Sequence, residues 1–134
     1  MNNFLVKLKT KKKKLPVSLR SYRDELHYHH AKKMGLTKPL QMEKMLKEWQ
    51  YWALIDNKFP YSAAFKTHHM LIPKRVATKQ ELTLSEEDEL KTVLAELNEI
   101  YDCYMINFRK KQSIPGHFHI HMLIYKDERN ELSV

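Results

Sequence analysis

The segment His117-Phe118-His119-Ile120-His121-Met122 alternates an imidazole with an apolar side chain at every step. A repeat of two is the period of a β-strand, whose side chains point to opposite faces in turn. The chain must therefore build a sheet with one face packed by Phe118, Ile120 and Met122, and the other lined by three imidazoles along about 13 Å. Each buried imidazole needs partners for two ring nitrogens, so three in a row are costly as mere filling. They point to chemistry. Two kinds fit: neutral imidazoles holding zinc, or one imidazole attacking phosphorus while its neighbours orient it and handle protons. Spacing alone does not choose between them.

The rest of the composition narrows the setting. A chain of 134 residues suits one domain. No apolar run approaches the ~20 residues needed to span a bilayer, and Met1 to Val6 is too short an apolar start for a signal peptide. The single cysteine, Cys103, excludes an intramolecular disulfide. These features predict a cytoplasmic protein with no membrane partner. The net charge of +8 is concentrated in residues 1–20, which hold seven basic side chains and no acidic one, so the body is nearly neutral. Residues 1–16 read as a basic, flexible tail, with Lys11 to Lys14 available for weak nucleic-acid contact.

Along the chain, residues 17–50 read as a helical N-terminal extension. A helix begins near Ser18 and stops at Gly35, and a second opens at Pro39, with Met42, Met45, Leu46 and Trp49 at helical spacing. Residues 51–126 form the main domain and 127–134 a C-terminal tail. Tyr51 to Asp56 reads as a buried strand, Phe59 to Ser62 as a turn, and His69 to Ile72 as a second strand ended by Pro73. The main helix follows, with Ser85 as N-cap, Asp88 completing a capping box and an apolar stripe of Leu90, Val93, Leu94, Leu97, Ile100 and Tyr101. Tyr104 to Phe108 and His117 to Tyr125 complete an α+β fold, an antiparallel sheet of about five strands with one main helix packed on it.

Several segments together resemble the histidine-triad (HIT) family. His117 to Leu123 is similar to its signature of three histidines alternating with apolar residues. Thr67-His68-His69-Met70-Leu71-Ile72-Pro73-Lys74-Arg75 looks like its strand of a histidine and an apolar run before Ile-Pro-Lys, and Ala53-Leu54-Ile55-Asp56 like the strand that ends at the nucleoside site. The resemblance covers roughly residues 51–125. It implies a nucleotide hydrolase or transferase that cleaves at the α-phosphate of a dinucleoside polyphosphate or nucleoside phosphoramidate, carrying an adenine or guanine nucleotide, through a covalent nucleotidyl-histidine.

In that scheme His119 is the nucleophile, His117 orients it, His121 contacts the phosphate and leaving group, and His68 adds a fourth imidazole. Asp56 and Asn57 bind the ribose; Asn107, Gln112 and Ser113 reach the phosphate and leaving group. No metal or cofactor is required, and pairing into a homodimer is implied. Lys110 and Lys111, in the loop before the triad, favour a polyanionic leaving group. Other readings stay open: a nucleotide- or RNA-binding module using the lysine-rich tail, or a zinc protein. His27, His29 and His30 do not share one tight helix face and do not read as a metal site; His69 reads as packing or solvated on the face opposite His68.

Overall fold

The computed structural model describes residues 18–112 and 114–126; the expected tails, 1–16 and 127–134, and Ser113 lie outside them. The fold is α+β. Five antiparallel strands, β1 (Met45–Glu48), β2 (Trp52–Ile55), β3 (Phe65–Pro73), β4 (Cys103–Met105) and β5 (Ile120–Tyr125), form one sheet in the order β1-β2-β3-β5-β4. The strand that carries His121 is thus second from the edge, clamped between β3 and β4.

Helix α1 (Tyr22–Lys33) starts at Ser21, whose hydroxyl accepts the Asp24 N–H. It ends at Gly35, φ +70°, where Leu36 N–H bonds to Ala31 C=O and Gly35 N–H to Lys32 C=O. That paired closure needs a left-handed residue, which glycine supplies without steric cost. The second expected helix does not form. Pro39 opens a single 3₁₀ turn, Leu40–Met42, and the chain then extends into β1. Met42, Met45 and Leu46 are too exposed to form a buried stripe, whereas pairing of Lys47 and Glu48 with Leu54 and Ala53 satisfies the backbone. Tertiary pairing overrides the helical spacing here.

Helix α2 (Leu84–Leu97) is capped by Thr83 and Glu86, two residues earlier than the Ser85 expectation. Thr83 Oγ1 accepts the Glu86 N–H at 3.1 Å, and the Glu86 carboxylate accepts the Thr83 N–H at 2.8 Å. Glu86 is held further by Arg75 at 2.8 Å, so Arg75 acts at the foot of this helix. Val93 and Leu97 are fully buried against Trp52, Leu54, Leu71, Phe118, Ile120 and Met122, while Ile100 lies beyond the helix and is exposed. Trp52 is wholly enclosed and donates its Nε1–H to the Glu86 carbonyl at 2.8 Å, so its polar atom is not left unpaired.

The opposite face carries a second apolar cluster of Leu40, Ala53, Ile55, Met70 and Ile72. Beside it lie the histidines. No described helix is long and apolar enough to cross a membrane.

Candidate functional site

Period two along β3 puts His68 on the same face as Met70 and Ile72, and β5 places His121 directly opposite Met70. His117 and His119 lie on the chain leading into β5, just before its first paired residue. All four imidazoles, His68, His117, His119 and His121, are 3–4% exposed. His69 faces the other way, with Nδ1 2.6 Å from the Tyr101 hydroxyl, as a packing residue would.

The protons of this cluster can be placed from fixed donors. The Tyr61 N–H can only donate, and it lies 2.9 Å from His68 Nδ1, which therefore accepts. His68 Nε2 then carries the proton and donates to His121 Nδ1 at 2.8 Å. The remaining proton of His121 sits on Nε2, 3.4 Å from the Tyr61 hydroxyl. Tyr61 thus holds both ends of one chain, by its backbone and by its ring oxygen. Asn57 Oδ1 accepts the Phe59 N–H, which turns Nδ2 toward the His68 ring at 3.2 Å. Asn107 Nδ2 donates to the Tyr61 hydroxyl at 3.3 Å.

His119 is fixed separately. Its Nδ1–H donates to the His117 carbonyl at 2.9 Å, which leaves Nε2 with a free lone pair. His117 Nε2 in turn donates to the buried Pro73 carbonyl at 2.9 Å. Burial pushes the pKa of His119 down. It pushes those of His68 and His121 down further, helped by repulsion from their imidazole neighbours and from the Arg20 guanidinium. Neutral rings are the outcome, and a neutral ring is the nucleophilic form.

A cavity of about 110 Å³ opens at His119 and His121, walled by Leu40, Phe59, Met70 and Ile114, with Asn57 and Lys38 also lining it. Apolar walls with a few convergent polar groups are usual for a small-molecule site. Of the expected site residues, His68, His119, His121, Asn57 and Asn107 are brought together. Gln112 lies behind them, its Nε2–H donating to the Asn107 carbonyl at 2.9 Å. Asp56 accepts the Asn57 N–H at 2.9 Å, so the residue facing the cavity is its neighbour. Asn107 stands in the loop after β4 rather than on a longer strand.

Sequence reasoning missed Tyr61 and Arg20. Tyr61 sits in a segment legible only as a turn, and Arg20 was counted with the basic tail; neither belongs to a periodic pattern. His27 and His29 stay apart, one against the Phe59 ring and the other 3.9 Å from Glu25. Among the described residues, no three His, Cys, Asp or Glu side chains are grouped so as to hold a metal ion.

No protein-family model matches the chain, and no curated protein matches it. Its backbone is similar to that of a histidine triad protein from Clostridium difficile, at 13% identity, covering 79% of this chain and 95% of that one with a TM-score of 0.47. It is also similar to a HIT family hydrolase from Legionella pneumophila Philadelphia 1, at 16% identity, covering 73% and 90% with a TM-score of 0.49. A third likeness is to a HIT family hydrolase from Clostridium thermocellum, at 18% identity, covering 81% and 96% with a TM-score of 0.48. What this site can do is set by its own side chains.

Proposed function

We propose that the protein is a nucleotide hydrolase or nucleotidyltransferase, acting at the α-phosphate of a nucleotide conjugate with His119 as nucleophile. One observation carries this reading: His119 gives its Nδ1 proton to a carbonyl and keeps Nε2 as a neutral lone pair beside a cavity. An imidazole so fixed needs no reorientation before attack.

The first step forms a bond from Nε2 to phosphorus and breaks the bond from phosphorus to the leaving group. The leaving atom departs with the electron pair and takes a proton from the side where His121 Nε2 meets Tyr61. In the second step water, or another acceptor, attacks the phosphorus and gives its proton back to the His121–Tyr61 side. The electrons of the N–P bond return to Nε2, and a nucleoside monophosphate or its ester is released. The nucleoside lies against Leu40, Met70 and Phe59 with its ribose toward Asn57, whose backbone N–H is held by Asp56. The reading requires no metal.

The test is incubation with a diadenosine polyphosphate and with adenosine 5′-phosphoramidate. Wild-type protein releases adenosine 5′-monophosphate, whereas His119→Asn, which keeps a donor near the His117 carbonyl, loses at least about 10³-fold in kcat. Mass spectrometry of acid-free quenched reactions finds the nucleotidyl adduct on His119. Inertness toward every conjugate, or an adduct at another residue, overturns the reading.

A further inference from the structure

Arg20 is a cation drawn into the histidine network through Tyr61, and it comes from outside the sheet. Its Nε–H donates to the Phe59 carbonyl at 2.7 Å, and its Nη1 meets Glu25 at 3.3 Å. Its guanidinium carbon lies 4.1 Å from the Tyr28 ring centroid and 5.3 Å from that of Tyr61. The side chain is only 10% exposed. Tyr61 in turn stands 4.3 Å from the His68 ring and 4.9 Å from that of His121, centroid to centroid. A guanidinium this enclosed, oriented by a carbonyl, a carboxylate and two rings, is a prepared donor rather than a solvated charge.

Arg20 also lines a cleft of about 390 Å³ between α1 and the loop after β4, within the usual size of small-molecule sites. Lys32 enters it from α1, and Lys110 and Lys111 from the loop. Asn107 and Tyr61 line it too, so it runs up to the proton-bearing end of the imidazole chain. Among the described lining residues, four cations face one carboxylate, Glu25, whose two oxygens are turned to Arg20 and His29. The N-terminal segment is tied down where this matters. Ala63 N–H bonds to Leu19 C=O at 2.9 Å, Ser21 N–H to the Ser62 hydroxyl at 3.2 Å, and the Ser62 hydroxyl to Asp24.

We propose that this cleft receives the leaving group of the substrate, and that Arg20, with Lys32, Lys110 and Lys111, selects one built as a polyphosphate chain. The N-terminal segment then belongs to the binding site, and specificity for the departing half of the substrate resides in α1 and its preceding turn. The proposal rests on the nucleotidyl-transfer reading for its biological meaning, but its test is equilibrium binding and does not need turnover.

Titration calorimetry with inorganic tripolyphosphate and with adenosine 5′-monophosphate separates the two halves of the substrate. Arg20→Gln weakens tripolyphosphate at least about tenfold and changes the monophosphate less than about threefold. Arg20→Lys, which keeps the charge without the planar fork, falls between. Lys110 and Lys111 are exposed, so the double variant Lys110→Ala, Lys111→Ala folds normally and weakens tripolyphosphate several-fold, with a shallower salt dependence. Should Arg20→Gln fail to fold, the double variant decides. Unchanged tripolyphosphate affinity in these variants, or equal loss for both ligands, overturns the proposal. Tight Arg20-dependent tripolyphosphate binding by a protein that never forms an adduct on His119 supports the cleft and sinks the nucleotidyl-transfer reading alone.

Discussion

His68 Nε2 lies 2.8 Å from His121 Nδ1, and the direction of that bond is dictated by Tyr61, whose backbone N–H occupies the other nitrogen of His68. Two neutral rings thereby act as one oriented proton path that ends at the Tyr61 hydroxyl. Tyr61→Phe cuts only that end. It retains the ring and the backbone donor, so the fold is kept, while kcat falls about tenfold with KM little changed, the worth of one hydrogen bond. Steady-state kinetics on a phosphoramidate check this, and an unaltered kcat would remove the hydroxyl from the mechanism.

Acid should unfold the protein early. His68, His119 and His121 are held below the ordinary value of 6.5 in the native state, chiefly by burial. Below pH 6.5 the unfolded chain therefore takes up protons that the native chain refuses. The contribution of these groups is fully present above that pH and is lost as pH falls toward their native values, at about 1.4 kcal/mol per unit for each of His68 and His121. Urea midpoints measured from pH 8 to pH 5 show the decline, and His121→Asn makes it shallower. A flat profile across that range contradicts neutral burial.

The two candidate caps of α2 give opposite forecasts. Thr83→Ala removes the acceptor for Glu86 N–H and loosens the reciprocal bond, at a cost of about 1 kcal/mol. Ser85→Ala, inside the first turn, stays within about 0.5 kcal/mol of wild type. Thermal unfolding of the pair checks the assignment, and the reverse ranking would restore Ser85 as the cap.

His117 is tied to the buried carbonyl of Pro73. His117→Ala leaves that oxygen unpaired and costs about 1–3 kcal/mol, with His117→Gln recovering part of the loss. Chemical denaturation measures the difference; equal stability of the alanine and glutamine variants would mean that the bond contributes nothing.

What could be read from the sequence divides along physical lines. The alternation around His119 and the spacing of Val93 and Leu97 are local periodicities, and both end on the faces they imply. The opposed orientations of His68 and His69 follow from the same rule. β1 was illegible because an edge strand with all four residues exposed carries no alternation. The start of α2 was misplaced because Ser85-Asp88 and Thr83-Glu86 are equally good local signals until Arg75 anchors Glu86. Tyr61 and Arg20 act through contacts across the fold, 60 residues apart in the Tyr61–His121 case, and a linear pattern does not encode such a meeting.

The back-to-back histidines of β3 bear on how the chain could go wrong. Threading this strand one place out of step would still set an imidazole on either side of the sheet, His69 among its relatives and His68 beneath α2. Such a misassembled molecule would have the secondary structure of the correct one. It would lack the amide of Tyr61 at the right nitrogen, and so would be a silent failure, visible to a substrate and invisible to circular dichroism.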